Sequence, residues 1–393
     1  MDIQNLPPKN RYTIRAMAAG ACSTWLDKAP RRYAFAVAAA LLLTAGPAVA
    51  ESLPYANKYA FGVDVSFVKN RVERGGQYRD GGEARHPLAI FRSHGYNWGR
   101  IHLCNEPVQR LPQTREYVIA AAKELKQHGM KFHLDLMFTN GWANPMLQPT
   151  PTLWQAMSHE QRVQAVYEFC RDTVTALRDA DVMPDMVQVG NEISNGFLWP
   201  DGRLYPEQDK PSNWSNVADY LKAGIKGVRE AAGGRRIDIM LHLDHGGDVS
   251  LTRGFFDQMK QYGVEYDVIG FSFYPWSHGT LLDLRDNLRV TALRYNKPII
   301  VVETGYYFEP SRDFKETKPP FPETPDGQRR WLEAVNEIVL NTPNGLGRGV
   351  FWWEPMMRGR GFFDAEGNAQ PIVGALDPYA LPLRRPDGQA RLQ

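Results

Sequence analysis

The sequence is poor in the residues that mark several large classes of protein. It has only three cysteines in 393 residues, and no Cys/His cluster has the spacing of zinc ligands. Its 46 lysines and arginines nearly balance 44 aspartates and glutamates, which gives a formal net charge of +2. Because nucleic-acid-binding domains carry clustered basic residues, we expect no nucleic-acid partner. We also expect no structural zinc site.

The chain also lacks the features that divide or redirect an α/β fold. No proline- or serine-rich linker, repeat or low-complexity tract follows residue 50. No glycine-rich loop follows an early strand, which argues against a doubly wound nucleotide-binding sheet. A phosphate-binding barrel would carry such a loop after its seventh and eighth strands, whereas the glycines at 345–349 precede the eighth predicted strand. We therefore predict one catalytic domain at 51–393, monomeric, with an irregular tail from about residue 379.

Residues 1–50 have the composition of an export segment. Arg31 and Arg32 precede an apolar run at 33–43, and small residues at 47–50 end in Ala50. These are the charged, apolar and cleavable regions of a secretory signal, so the mature protein is expected in the periplasm or outside the cell. The run is short for a stable membrane anchor, although an anchor, a start at Met17 and a twin-arginine export route stay open. A disulfide between the two remaining cysteines, Cys104 and Cys170, also stays open.

Beyond residue 58, short β-rich runs alternate with longer segments whose apolar spacing is helical. The helical segments include 114–128, 158–180, 216–232 and 328–340. Eight strands alternating with about eight helices are what a (β/α)₈ barrel requires. The fold class is therefore predicted as α/β, a single (β/α)₈ TIM barrel. Its predicted strands are 59–68, 97–103, 131–138, 186–192, 236–243, 268–275, 298–306 and 347–355.

Polar side chains collect at the predicted carboxyl ends of these strands, where such a barrel carries its chemistry. Two of them are glutamates: Glu192, which follows Asn191 on the fourth strand, and Glu303 on the seventh. Three strand steps in an eight-stranded barrel place these two across the central cavity from each other. Hydrolysis of a glycosidic bond needs one carboxylic acid to protonate the departing oxygen and one carboxylate at the anomeric carbon. The pair therefore predicts a glycoside hydrolase.

Longer motifs around these residues resemble glycoside hydrolase family 53, the endo-β-1,4-galactanases, in the order found in that family. The resemblance covers about residues 61–376. It implies a retaining endo-hydrolase of galactan or arabinogalactan that uses double displacement and no cofactor. The motifs are VQVGNEI (187–193), GFLWP (196–200), DVIGFS (267–272), YPW (274–276), HGTL (278–281), KPIIVVET (297–304) and GVFWWEP (349–355).

The resemblance also implies roles for individual residues. Glu192 is expected to be the general acid/base and Glu303 the nucleophile. Asn191 would bond the sugar 2-hydroxyl, and Arg100 and Tyr274 would hold Glu303 ionised and aimed. His242 would line the site near the acid/base, and Trp353 would be a platform under the cleaved sugar. Apart from the resemblance, positions at strand ends or beside the expected cleft make six further residues expected substrate-binding residues: Asp64, His102, His133, Asp135, Trp199 and Trp276.

Three departures from the family pattern concern the substrate. His102 replaces a second arginine, Asn144 replaces an aspartate in a Trp-Ala-Asp-Pro motif, and Cys104-Asn-Glu-Pro replaces an aromatic stretch. A relative that cleaves another β-linked polysaccharide is therefore the alternative. A carbohydrate-binding barrel without activity is the alternative of another class, disfavoured because both glutamates are present.

Structural interpretations compete at several of these positions. The strand histidines are also typical of satisfied core residues, and Asp64 of a loop cap. Glu354 is either a third reacting carboxylate or a partner of loop backbone. The alternating oxygen ligands at 364–368 leave a structural Ca²⁺ open, although a polar turn is the preferred interpretation.

Overall fold

Eight parallel strands close into a barrel in the computed structural model of the chain, which describes residues 58–107, 111–205 and 213–380. Each strand pairs with its neighbours in chain order, and the first pairs with the last to close the ring. All eight predicted strands are present, which confirms the fold class. The strands are β1 (Ala60–Asp64), β2 (Trp98–Cys104), β3 (Lys131–Met137), β4 (Met186–Val189), β5 (Asp238–Leu243), β6 (Val268–Phe273), β7 (Ile299–Thr304) and β8 (Gly347–Trp352).

Helices follow the strands and cover the outside of the barrel. A short hairpin between β1 and β2, Arg79–Asp80 with Glu83–Ala84, was not predicted. The four predicted helices correspond to the third, fourth, fifth and eighth of the series. The α-helices of the described residues are α1 (Val68–Glu73), α2 (Pro87–Ser93), α3 (Arg115–Gln127), α4 (His159–Asp179), α5 (Trp214–Ala231), α6 (Val249–Gln261), α7 (Leu281–Tyr295), α8 (Pro325–Leu340) and α9 (Asp377–Ala380).

Local sequence fixes where several of these helices begin. At the start of α4, the Ser158 side chain accepts from the Gln161 backbone N–H while the Gln161 side chain accepts from the Ser158 N–H. Thr280 and Asp283 form the same reciprocal pair at α7. Such capping boxes satisfy donors that the first turn of a helix leaves unpaired.

Inside the barrel, the inward side chains of β2 and β5 change from apolar to polar along the strand. Trp98 belongs to an apolar cluster at the amino ends of the strands, whereas Arg100 and His102 follow it at intervals of two. On β5, the cluster residue Met240 is followed in the same way by His242. Since strand side chains alternate between faces, this pattern fills the lower barrel with packed core and its carboxyl end with polar groups.

Several predictions fall wholly or partly outside the described residues. The export segment at 1–50 and the tail beyond residue 380 lie there and remain predictions. Within the described ranges, no helix combines the length and apolar character needed to cross a bilayer. Cys104 and Cys170 are both buried and free, so the structure contains no disulfide between them.

Candidate active site

The turn after β4 positions Asn191 and Glu192. The strand ends at Val189, short of the predicted end at 192, because Gly190 and Glu192 both adopt positive φ angles, 88° and 48°. Gly190 is required by space as well, since a Cβ there would lie 2.6 Å from the Ile193 side chain. The Gln148 side chain donates to the Asn191 carbonyl oxygen at 2.7 Å. The turn is therefore stabilised by the Gln148 side chain as well as by its own backbone conformation.

An irregularity in strand pairing aims Glu303 into the barrel. Val302 belongs to the interior apolar cluster, so strict alternation would turn the next residue, Glu303, outward. The β6–β7 register instead jumps from Phe271↔Val301 to Ser272↔Glu303, and the β7–β8 register shifts nearby. Such bulges redirect side chains beside active sites. Glu303 consequently lies inside, where Arg100 contacts it.

Two donors hold the Glu303 carboxylate. Arg100 Nη1 donates to Oε1 at 2.6 Å, and the Tyr274 hydroxyl donates to Oε2 at 2.9 Å. Burial, and then the charge of Glu303, raise the pKa of Tyr274 well above its usual range, so the hydroxyl remains a donor. Charge-assisted bonds of this kind favour an ionised acceptor. Glu303 is only 5% exposed.

Arg100 is the centre of the polar layer. Besides Glu303, its guanidinium donates to Asn191 at 2.8 Å and to Asp135 and Gln188 at 3.1 Å, and it lies 3.4 Å from Asp64. The side chain has no exposed surface. A fully buried guanidinium surrounded by three carboxylates is fixed in position and charge.

His102 supplies a second cation to the same layer. Its Nε2 lies 2.6 Å from Asp64 and its Nδ1 2.5 Å from Asp135. Burial opposes the charged ring, but Asp64 and Asp135 outweigh it and raise the pKa of His102 to about 9. Although burial acts in the opposite sense, the His102 charge and hydrogen bond lower the pKa of Asp64. His102 is therefore an imidazolium at neutral pH.

This ion pairing makes a pH-dependent contribution to stability. The pKa of His102 is about 9 in the folded chain, against about 6.5 unfolded. The contribution is therefore complete below about pH 6.5 and is lost as the pH rises through about 9. We expect wild type to exceed His102→Gln in free energy of unfolding by up to roughly 3 kcal/mol at pH 6. Urea unfolding at pH 6, 8 and 9.5 should show the difference shrinking.

The half-buried His128 offers a control of opposite sign. Burial lowers its pKa, so His128→Gln should gain relative to wild type as the pH falls rather than as it rises. A difference between wild type and His102→Gln that does not change with pH would contradict the imidazolium assignment.

Glu192 occupies a different environment from Glu303. Burial, followed by the charges of Glu303 and Asp244, raises the pKa of Glu192 well above its usual range. Its backbone N–H lies 3.4 Å from His242 Nδ1, and His242 Nε2 lies 2.9 Å from the Ser272 hydroxyl. Burial, and then the Arg100 charge, lower the pKa of His242 well below its usual range. The result is a carboxyl group with a raised pKa beside an imidazole with a lowered pKa.

Gln188 connects the two halves of this arrangement and was not among the predicted site residues. Its side-chain nitrogen donates to Asp135 Oδ1 at 2.6 Å and lies 3.1 Å from His242 Nδ1. The inward alternation from Met186 would have indicated its position. The Asn191 amide is similarly occupied: it donates to the Ala143 carbonyl oxygen at 2.9 Å while accepting from Arg100.

Four predicted substrate-binding residues lie beneath the cleft. Asp64, His102, His133 and Asp135 have no exposed surface. The first two and Asp135 pack around Arg100, whereas His133 packs edge-on against Phe351 with a ring-centroid distance of 5.7 Å. Burial lowers the pKa of His133. In this structure the four support the site from below, and direct sugar contact by them remains a prediction.

Aromatic rings form one wall above the polar layer. Trp276 stacks on Tyr274 with ring centroids 5.1 Å apart, and Trp353 lies edge-on to Tyr274 at 6.4 Å. Arg360, on the loop after β8, places its guanidinium carbon 4.6 Å from the Trp353 ring centre. Arg360 was not among the predicted site residues, because no strand or helix period reaches this loop. Trp199 was also predicted to bind substrate. Its ring nitrogen Nε1 donates to the Asn195 carbonyl oxygen, and the Arg203 guanidinium packs over its ring.

Glu354 and the 364–368 turn are also placed by the structure. Glu354 is buried and accepts from the Met356 backbone N–H at 3.0 Å. Burial, and then the Asp64 charge, raise its pKa to about 8. Asp364 Oδ1 accepts from the backbone N–H groups of Glu366 and Asn368. Both carboxylates thus have loop-backbone partners.

This chain is similar to known proteins in both sequence and fold. Residues 60–370 match the model of glycosyl hydrolase family 53. A Niallia circulans protein, named as uncharacterized in the bgaB 5′ region, is 40% identical over 308 residues, 76% of this chain and 83% of that protein. An arabinogalactan endo-β-1,4-galactanase of Cellvibrio japonicus is 30% identical over 333 residues, 81% of this chain and 85% of that enzyme.

A solved structure agrees with this relationship. The catalytic domain of an Ignisphaera aggregans family 53 protein superposes with a TM-score of 0.76 at 28% identity, covering 82% of this chain and 96% of that domain. The match to the family model spans most of the chain, from the first barrel strand to the loop after the last. This chain belongs to glycosyl hydrolase family 53.

Proposed function

We propose that this glycoside hydrolase is an exported endo-β-1,4-galactanase that cleaves galactan or arabinogalactan with retention of configuration. The observation that carries the proposal is the contrast between its two central glutamates. Glu303 is held by a guanidinium and a phenol, whereas Glu192 has a pKa well above its usual range. One is suited to act as a carboxylate and the other as an acid, which is the division of labour that glycoside hydrolysis needs.

In the proposed first step, Glu192 gives its proton to the departing glycosidic oxygen while Glu303 attacks the anomeric carbon. The C–O bond to the leaving chain breaks as a bond to Glu303 Oε forms. In the second step Glu192, now ionised, takes a proton from water, and the water oxygen displaces Glu303. Arg100 and Tyr274 hold Glu303 in line throughout. Asn191 would reach the sugar 2-hydroxyl by sharing the amide that now bonds Ala143 and Arg100.

The choice of galactan rests on the named function of the Cellvibrio japonicus relative and on the family motifs. His102 and the loops at 104–107 and 142–145 depart from the family pattern, so another β-linked polysaccharide is the second candidate. The export segment supports action outside the cytoplasm. We expect a monomer, without a nucleic-acid partner, without a required cofactor and with Trp353 and Trp276 as sugar platforms.

Reducing-sugar release tests the substrate. The purified enzyme should cleave unbranched β-1,4-galactan to short oligosaccharides, and the anomeric proton signals should first show the β product. Mannan and a microbial exopolysaccharide serve as comparison substrates. Cleavage of one of these, without cleavage of galactan, would show that galactan is not the substrate. First formation of the α product would contradict retention.

Replacing the proposed acid should affect substrates unequally. We expect Glu192→Gln to lower kcat on galactan by about 10²–10⁴-fold, the usual contribution of a positioned general acid. A dinitrophenyl β-galactobioside needs no proton on its leaving group, so the first step should be almost unaffected and the glycosyl-enzyme should accumulate. Rapid-mixing kinetics would show a burst of phenolate. Absence of a burst, with the first step slowed on the activated substrate as much as on galactan, would contradict the acid role of Glu192.

A further inference from the structure

Three side chains meet near Glu192, and none of them transfers a proton or attacks the sugar in the proposed reaction. Asp244 and His245 directly follow β5, and His278 lies on the loop after β6. One possible ligand atom from each lies within 4.8 Å of the others, and the two imidazole rings are 4.7 Å apart. The Asp244 backbone N–H is 3.2 Å from the hydroxyl of Ser194, two residues beyond Glu192. We call these three residues the Asp244 cluster.

The cluster contains a buried oxygen that lacks a donor. Asp244 is 1% exposed, and its Oδ1 has no hydrogen-bond partner among the described residues. Its Oδ2 contacts His245 Nδ1. A buried acceptor left unpaired costs about 1–3 kcal/mol, and a carboxylate oxygen is also a metal ligand. Asp244 therefore offers an oxygen that a cation would satisfy.

The backbone orients one of the two histidines. His278 Nδ1 lies 3.1 Å from the Ser272 carbonyl oxygen and 3.2 Å from the Tyr274 backbone nitrogen, which leaves Nε2 for the cluster. Metal-binding histidines typically have their other ring nitrogen fixed in this way. His278 is buried, whereas the His245 side chain is 44% exposed. The cluster is thus anchored on one side and open to solvent on the other.

We propose that Asp244, His245 and His278 bind a divalent transition-metal ion of the Zn²⁺ class. Two imidazoles and one carboxylate suit Zn²⁺, Co²⁺ or Ni²⁺, whereas Ca²⁺ and Mg²⁺ prefer oxygen ligands. The remaining positions would be filled by water. Sequence spacing gave no sign of this site, because His278 comes from a different βα loop than the other two ligands. The proposal does not depend on the polysaccharide that the enzyme cleaves.

Another His/Asp group in the chain shows what distinguishes the Asp244 cluster. His159 bonds Asp201 through Nδ1 at 2.9 Å and Asp219 through Nε2 at 3.3 Å. Because the two ring nitrogens point in opposite directions, these carboxylates cannot share one ion with the ring. His159→Ala is therefore a matched control, which removes an accessible histidine with acidic partners and leaves the Asp244 cluster intact.

Titration with Co²⁺ tests the site, because the ion reports its ligands by its visible spectrum and needs no enzyme turnover. The full-length enzyme, freed of metal with a chelator, should bind one Co²⁺ with an absorption band that Zn²⁺ removes. His278→Gln and His245→Ala should each weaken Co²⁺ binding at least about tenfold, whereas His159→Ala should leave it unchanged. Circular dichroism would establish that each variant is folded.

Several outcomes would overturn the proposal. They are the absence of Co²⁺ binding by wild type, equal binding by wild type and both cluster variants, and an equal loss in His159→Ala. Tighter binding of Ca²⁺ than of Zn²⁺ at the same residues would overturn the ligand class. Loss of galactan cleavage in the substrate assay would leave the metal result standing, so the two proposals fail separately.

Discussion

Glu303→Ala should remove hydrolysis almost completely. We expect kcat on the best polysaccharide substrate to fall at least about 10⁴-fold, a loss of about 5.5 kcal/mol in transition-state stabilisation. The reason is geometric: the bulge in β7 brings this carboxylate to Arg100 at 2.6 Å and Tyr274 at 2.9 Å, and no other described carboxylate accepts from both. Steady-state reducing-sugar assays would measure the loss.

Azide distinguishes a nucleophile from an acid. In Glu303→Ala, azide can occupy the vacated space and attack the sugar directly, so an activated β-galactoside should give the α-galactosyl azide. In Glu192→Gln, azide instead attacks the glycosyl-enzyme and should give the β-azide, since two inversions restore the configuration. Exchange of these two products would reverse the assigned roles.

A surface glutamate provides the control for these variants. Glu265 follows α6 on the opposite end of the barrel, with a side chain that is 84% exposed. Glu265→Ala should therefore keep wild-type activity. If Glu303→Ala retained more than about a hundredth of kcat, the loss would be no larger than removal of a single hydrogen-bond donor causes, and Glu303 would not be the nucleophile.

Arg100→Met should lose both stability and activity. The change removes the guanidinium that contacts Asp64, Asp135 and Glu303, all of which are buried. Breaking a buried ion pair by removing one partner typically costs about 3–5 kcal/mol. We expect a free energy of unfolding lower by that amount. In addition, kcat should fall about 10²–10³-fold, as for loss of one preorganised donor.

Arg100→Lys separates charge from geometry. Lysine keeps the positive charge but lacks the planar fork that reaches Asn191, Gln188 and Asp135 together. Compared with Arg100→Met, Arg100→Lys should therefore regain part of the free energy of unfolding but little of kcat. Arg171→Met, at an exposed pair with Asp172 on α4, should leave the free energy of unfolding nearly unchanged. If Arg100→Met had the same free energy of unfolding as wild type, Arg100 would not be the centre of the polar layer.

The sequence predicted the architecture because each barrel element carries its own signal. Runs of Val, Ile, Phe and Tyr between glycines and prolines marked all eight strands, and apolar spacing near 3.6 marked the major helices. The hairpin at 79–84 was missed because two-residue strands have too few side chains to show alternation. The end of β4 was misplaced because backbone φ angles at Gly190 and Glu192 decide it.

The positions of the site residues were less accessible to the same reasoning. The predicted carboxyl ends of the strands led to Arg100, His102 and His242, because a barrel of this kind carries its polar site residues there. Strict alternation from Val302 would have turned Glu303 outward, so its place at a predicted strand end, supported by the family motif, identified that residue. Arg360 and His278 lie on loops without periodicity, so only the fold brings them to the Trp353 ring and the Asp244 cluster.

By itself, the sequence determined an eight-stranded α/β barrel with polar strand ends, since hydrophobic periodicity and family motifs are properties of the chain. Tertiary structure alone decided that the register shift aims Glu303 inward and that one guanidinium touches Asp64, Asp135 and Glu303. It also decided that the pKa of Glu192 is raised, because burial and neighbouring charge depend on residues distant in sequence. Hydrophobic periodicity along the chain places the strands, whereas closure of the barrel brings together the charged groups that determine the pKa values of the site.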